Sequence, residues 1–150
     1  MAQFQEIGRY DIVVKKITER IYDALEAAGA LVEGEAKLLC PVDLGNLESS
    51  INHKLVREEN EVRIGTPVEY APYVEFGTGE NAENGQGRKG GWFFVSDRPQ
   101  LAGWLKPLGT TKDGKYLYFT YGNKPHPFLR PALKNNIKNI NRIFQEALRK

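Results

Sequence analysis

The chain has 150 residues, 41% of them hydrophobic and 27% charged, with a formal net charge of +2. That length suits one domain with a sizeable core, the composition is ordinary for a soluble globular protein, and no apolar run approaches the roughly 20 residues of a membrane helix. A lone cysteine, Cys40, excludes a disulfide framework and a cysteine-built metal site, and an N-terminus lacking the basic and apolar regions of a signal peptide leads us to expect a chain that stays in the cytosol that made it.

Residues 1–9 are weakly patterned and read as a frayed segment or an arm. From Asp11 to Leu39 the apolar positions Val14, Ile17, Ile21, Leu25, Ala28, Val32, Ala36 and Leu39 recur every three or four residues. This predicts an amphipathic helix of about 29 residues, roughly 43 Å long, that wraps a sheet or projects into a neighbour. Gly29 and Gly34 each weaken it by about 1 kcal/mol relative to alanine, so a bend or the close approach of another backbone is expected there.

Pro41 stops that helix, because the residue before a proline is pushed out of the α region. Asp43 is placed to cap a short helix opening at Gly45-Asn46-Leu47, with Glu48 in its first turns. Leu44, Leu47 and Ile51 give that helix an apolar edge. After Asn52 the period changes to two. Leu55-Val56, the polar turn Arg57–Asn60 and the alternation of Val62 and Ile64 with Arg63 and Gly65 predict a β-hairpin with one buried face. Thr66-Pro67 ends it, and Pro72 starts a further helical turn stopped by Gly77. Two readings of this turn compete. In one, Tyr70, Tyr73 and Phe76 are core packing residues; in the other, Tyr70, Glu75 and Gly77-Thr78-Gly79 form a ligand site. The Gly-Thr-Gly stretch is too short for a phosphate loop and lacks its lysine.

Residues 80–91 (ENAENGQGRKGG) are polar, glycine-rich and aperiodic, which predicts a mobile loop. Trp92-Phe93-Phe94-Val95 follows, with turns at Ser96–Pro99 and Lys112-Asp113-Gly114. Residues 115–121 (KYLYFTY) read as a strand with Leu117, Phe119 and Tyr121 on one face and Tyr116, Tyr118 and Thr120 on the other. Trp92, Phe93, Phe94, Trp104, Tyr116 and Tyr118 are candidate interface residues, since such aromatics are enriched at hot spots. A satellite cluster under a long loop is the structural alternative, and stacking on single-stranded nucleic acid beside Arg88, Lys89, Lys106 and Lys115 is a third. The stiff Asn123–Pro127 linker leads to a last helix, with Pro131 in its first turn. Its expected buried stripe is Leu133, Ile137, Ile140, Phe144 and Leu148, and its expected exposed basic face is Lys134, Lys138 and Arg142.

The charge is unevenly laid out. Residues 1–80 hold 8 Lys/Arg against 15 Asp/Glu, and residues 81–150 hold 13 against 4. Such a split favours contacts between the acidic side of one copy and the basic side of the next, although solvated faces account for it equally well; a basic C-terminal half could also meet nucleic acid. No catalytic, cofactor or metal site emerges. His53 and His126 stand far apart without a motif, and two imidazoles are too few ligands for a metal centre. Cys40 before Pro41 reads as a small buried hydrophobe rather than a nucleophile. Asp43 and Glu48 could pair as carboxylates, but capping already accounts for Asp43.

Several blocks in order give a resemblance. A long first helix precedes Cys40-Pro41-Val42-Asp43, Gly45-Asn46-Leu47, Ser50-Ile51, Ile64-Gly65-Thr66, Tyr70-Ala71-Pro72-Tyr73-Val74-Glu75-Phe76-Gly77-Thr78 and Pro127-Phe128-Leu129-Arg130-Pro131-Ala132-Leu133. This order resembles the tail-completion or head–tail joining proteins of long-tailed bacteriophages. The chain departs from them at Leu44, where threonine is usual, and in the length of residues 80–122. The resemblance implies an α+β fold in which a long N-terminal helix and a C-terminal helix pack on a small, mainly antiparallel sheet, with 80–122 as an inserted loop and β-ribbon. It further implies a non-enzymatic structural protein made in the host cytoplasm and carried in the virion neck or tail. Its expected partners are copies of itself in a ring, commonly a hexamer, the head connector or adaptor, and the tail tube or terminator, with genomic DNA passing through the lumen and no membrane contact. A nucleic-acid-binding module using the basic C-terminal half is the alternative.

Overall fold

A computed structural model of the chain describes residues 2–41, 45–99 and 105–149, with side chains from Arg9 onward. The elements are helix α1 (Ala2–Leu39), helix α2 (Gly45–Ser50), strands β1 (Asn52–Val56) and β2 (Glu61–Gly65), helix α3 (Ala71–Phe76), strands β3 (Trp92–Ser96), β4 (Gly109–Thr110) and β5 (Tyr116–Thr120), and helix α4 (Leu129–Arg149). The fold is α+β, with one long helix at each end of the chain and two small antiparallel sheets between them. By contacts the chain forms two compact units. One comprises Met1–Leu39, Glu48–Pro67 and Phe128–Lys150, and the other Cys40–Leu47 and Val68–Pro127.

In the first unit α1 is the spine. It begins nine residues earlier than the apolar pattern indicates, so the expected fraying is corrected to helix over residues 2–9. Ala, Gln and Glu near its start are good helix formers, and each residue added to an existing helix gains a backbone bond without a new nucleation cost. At 38 residues α1 is about 57 Å long. The hairpin of β1 and β2 pairs in the register Asn52↔Gly65 to Val56↔Glu61 and packs on α1. A turn of 3-10 helix, Arg57–Glu59, closes it, and Asn60 takes the left-handed conformation at φ 54°, which its short polar side chain tolerates.

Helix α4 lies along α1. Asn135 Nδ2 donates to Glu35 Oε1 at 3.4 Å, near the start of α4 and near the end of α1. The rest of α4 can therefore contact α1 only by running back toward its N-terminus, over about 21 Å. Ala24, Ala28, Val32 and Ala36 of α1 and Ala132 of α4 are buried, small residues that let the elements approach closely.

The face of α4 turned inward differs from the expected stripe. Ala132 and Asn136 are buried and Asn139, Ile140, Ile143, Phe144 and Ala147 are partly buried, whereas Leu133, Ile137 and Leu148 are exposed. The apolar arc of α4 is wider than the surface available to cover it, and the helix is turned so that its small residues meet α1. Asn136 is satisfied inside this seam: its Nδ2 donates to Ala132 O at 2.9 Å and its Oδ1 accepts from Asn139 Nδ2 at 3.2 Å.

In the second unit β3, β5 and β4 form a sheet in that order, with Trp92↔Thr120 to Ser96↔Tyr116 as the central register. The aromatic alternation expected along β5 is present. Tyr118 is fully buried and stacked on Phe94 at 5.3 Å between centroids, and on the other face Phe93, Phe119 and Tyr121 form a chain of ring contacts. Strand β4 gives no sequence signal, since two residues carry no period. The expected mobile loop at 80–91 is instead tied down. Glu80 N–H donates to Tyr121 O at 2.9 Å, Glu83 N–H to Phe76 O at 2.9 Å, and Gly90 N–H to Glu80 Oε1 at 2.9 Å.

Candidate interaction surfaces

The seat of the hairpin on α1 is built around a missing side chain. A Cβ at Gly29 would lie 2.6 Å from Val62 Cγ2 and 2.8 Å from His53 Cδ2, so only glycine lets β1 and β2 come this close. Gly34, by contrast, faces open space. His53 lies against α1 with its Nδ1 at 2.5 Å from Glu33 Oε2, its backbone N–H at 3.0 Å from the same oxygen, and its Nε2 at 3.3 Å from Glu26 Oε1. Glu33 Oε1 accepts from Lys37 Nζ at 2.5 Å. The Lys37 and His53 hydrogen bonds hold the Glu33 carboxyl down at about 2, and the Glu33 carboxylate, with Glu26 at the other ring nitrogen, raises the His53 imidazole above its ordinary 6.5. At the hairpin turn Arg57 stacks over the Tyr22 ring at 4.7 Å and reaches Glu19, while Arg63 is held by Glu59 and Glu61, which push its guanidinium up.

Beyond the reach of α4, α1 carries an exposed apolar row. Tyr10, Val13, Val14 and Ile17 continue, at helical spacing, the same face that is buried further along at Ala24, Ala28 and Val32. Tyr10 is 67% exposed and Val14 61% exposed. The expectation of a buried stripe from Val14 through Leu39 therefore holds for Ala28, Val32 and Ala36 and partly for Ile21 and Leu25, but fails at Val14, Ile17 and Leu39.

On α4 the expected basic residues Lys134, Lys138 and Arg142 are all exposed and lie on one flank. Leu133, Ile137 and Leu148 form an exposed apolar row on another flank.

The second unit presents its aromatics outward from α3. Tyr73 is 60% exposed and Phe76 and Tyr70 are exposed, whereas Ala71 and Glu75 are buried. The packing role expected for the three aromatics is corrected by this: in a six-residue helix the Ala71/Glu75 pair turns inward and the aromatic spacing falls elsewhere. Gly77-Thr78-Gly79 is a chain crossing rather than a ligand cradle. Gly79, at φ 60°, has Tyr121 O 2.2 Å and the Trp92 ring 2.7 Å from where a Cβ would stand. Thr78 N–H donates to Asn123 O at 2.9 Å and Asn123 N–H to Thr78 Oγ1 at 2.8 Å.

Of the candidate interface residues, Phe93 is exposed and Trp92, Phe94 and Tyr116 are half-buried, with Arg88 over the Trp92 ring at 5.5 Å. Tyr118 is a core residue of the ribbon: its hydroxyl donates to Arg98 O at 2.7 Å, and burial pushes its phenol up. The outward face adds Val95 and Tyr121, which the sequence did not single out as interface. Trp104 and the Asp43 cap, with Val42 and Leu44, lie outside the described residues.

The other residues of the motif blocks divide by burial. Cys40, Leu47, Ile51, Gly77 and Phe128 are buried, Pro41, Gly65, Leu129 and Pro131 are half-buried, and Gly45 and Pro127 are exposed. The His53–Glu33 contact was not legible, because nothing local ties residue 53 to a carboxylate 20 residues upstream. Among the described residues no group of three or more His, Cys, Asp or Glu side chains is placed to hold a metal ion, and no helix is long and apolar enough to cross a membrane.

A family model described as "Bacteriophage HK97-gp10, putative tail-component" matches residues 3–77, half of the chain. The matched span takes in α1, α2, the hairpin and α3 and ends at Gly77; the aromatic ribbon and the Pro127–Leu133 block lie beyond it. No curated protein and no solved structure matches the chain.

Proposed function

The chain belongs to the HK97-gp10-like family of bacteriophage tail components, and we propose that within the virion it is a structural protein that completes the tail and joins it to the head connector as a ring of identical copies. The observation that carries this reading is the bare row Tyr10, Val13, Val14 and Ile17. It continues a face that the same helix buries elsewhere, and uncovered apolar surface of this kind marks an interaction site. Exposed aromatics on α3 and on the ribbon, and the acidic and basic halves of the sequence, suit a subunit that meets neighbours on more than one side. A hexamer, contacts with the connector and the tail tube or terminator, and passage of DNA through the lumen belong to this proposal, as does a role without catalysis.

The test is mass photometry and electron microscopy of the purified chain, alone and with its connector. Val13→Glu and Ile17→Glu change exposed positions, so their melting curves should match the wild type while ring formation and connector binding are lost. A variant that assembles like the wild type overturns the role given to α1. The exposed line Lys134, Lys138 and Arg142 favours nucleic-acid binding as a second reading. It requires an affinity for DNA that falls steeply with salt and drops when the three residues are changed to glutamine.

A further inference from the structure

We propose that His53 is a proton-operated latch: as an imidazolium it clamps β1 to α1 between Glu26 and Glu33, and its deprotonation loosens the hairpin. Both ring nitrogens face carboxylate oxygens, Nδ1 at 2.5 Å from Glu33 and Nε2 at 3.3 Å from Glu26. Carboxylates only accept hydrogen bonds, so both nitrogens must carry protons for both contacts to form, and only the imidazolium has two. Lys37 holds the far oxygen of Glu33 at 2.5 Å, which keeps that carboxylate ionised and turned toward His53.

Neutral imidazole can keep only one of these bonds. The shorter contact, reinforced by the His53 backbone N–H on the same Glu33 oxygen at 3.0 Å, is the one retained. The Nε2 lone pair then faces Glu26 Oε1, and attraction becomes repulsion. Glu26 is exposed enough to swing away, which opens one side of the clamp.

The groups that face the ring from α1 are Glu26, Glu33 and, behind the latter, Lys37. From β2 the neighbours are apolar: Ile64 opposite in register, and Val62 beside Gly29. Lys54 and Arg63 alternate onto the other face of the hairpin, where they line an open hollow. The ring is seated against Gly29, whose absent Cβ leaves room for it and little room to turn. With its side chain 18% exposed, His53 is reachable by water for proton exchange.

The experiment is a pH titration of the full chain, following the His53 ring by NMR and the β1–β2 amides by hydrogen exchange corrected for intrinsic base catalysis. The expected ring midpoint lies above 6.5. Between pH 6 and 9 the corrected exchange of the hairpin should speed up on the order of fivefold in the wild type, and in His53→Gln it should be fast throughout. Glu26→Gln, at an exposed position, should lower the midpoint without unfolding the chain, which keeps the test decisive where His53→Gln does not fold. A midpoint at or below 6.5, one unmoved in Glu26→Gln, or wild-type protection that ignores pH overturns the latch.

Discussion

Gly29 and Gly34 stand five residues apart on one helix and should respond in opposite ways to the same substitution. An alanine in an exposed helix interior is favoured over glycine by about 1 kcal/mol. Gly34→Ala meets nothing within 4 Å, so it should stabilise by up to that amount and raise the urea midpoint. Gly29→Ala drives a methyl against Val62 and His53, both held between α1 and the hairpin, and overpacking of that kind costs about 1–3 kcal/mol. If both variants move the midpoint the same way, the hairpin does not sit on α1 at Gly29. Glu33 adds an acid-side prediction. Its carboxyl is held at about 2 against an ordinary 4.5, so the unfolded chain binds the proton first as pH falls. Its contribution is whole above 4.5 and disappears as pH drops toward 2. Glu33→Gln should therefore lower the wild-type Tm at pH 6 and converge with it near pH 2, a loss on the order of 2 kcal/mol; parallel curves across that range would show that Glu33 is not a clamp.

At the scale of elements, the end of α1, the hairpin and α3 were readable because each is marked by local chemistry: Pro41, the Arg57–Asn60 turn, Thr66-Pro67, and Pro72 with Gly77. Faces were harder. On α4 the period of 3.6 was plain, but five large apolar residues form a broader arc than α1 can cover, and nothing in the spacing says which edge of the arc is left out. Ala132 and Asn136 win the seam because small side chains allow close approach and the asparagine bonds along its own helix. The consequence is testable. Ile137 is 50% exposed, so Ile137→Asp should change the Tm by no more than a few degrees. Ala132→Asp puts an unpaired charge into the seam and should unfold the first unit. Circular dichroism melts of the two variants decide this, and a severe Ile137→Asp beside a mild Ala132→Asp would return the helix to its other face. The α1 stripe erred for a related reason: a pattern reports that a face will be covered, and between Tyr10 and Ile17 the described residues leave that face exposed.

For the whole molecule, the residues on either side of the aromatic ribbon decide what can be removed. Thr78 and Asn123 are joined by two hydrogen bonds, at 2.9 and 2.8 Å, so a short Gly-Ser linker can replace residues 80–122 without stretching the chain. The helices and hairpin of the first unit contain none of the deleted residues. Far-UV dichroism should accordingly keep the α1 and α4 signal, and the variant should melt cooperatively. The deletion takes away Phe93, Val95 and Tyr121, the exposed apolar face of the ribbon, together with Tyr121 O and the Trp92 ring that pack on Gly79. Assembly with the connector should then fall to the level of a monomer by mass measurement. A single change, Phe93→Ser, separates surface from scaffold: it leaves the Tyr118–Phe94 core of the ribbon in place, and it should weaken assembly alone. If both variants build particles indistinguishable from the wild type, the ribbon is a satellite of its own unit, and the joining surfaces must be sought on α1 and α4.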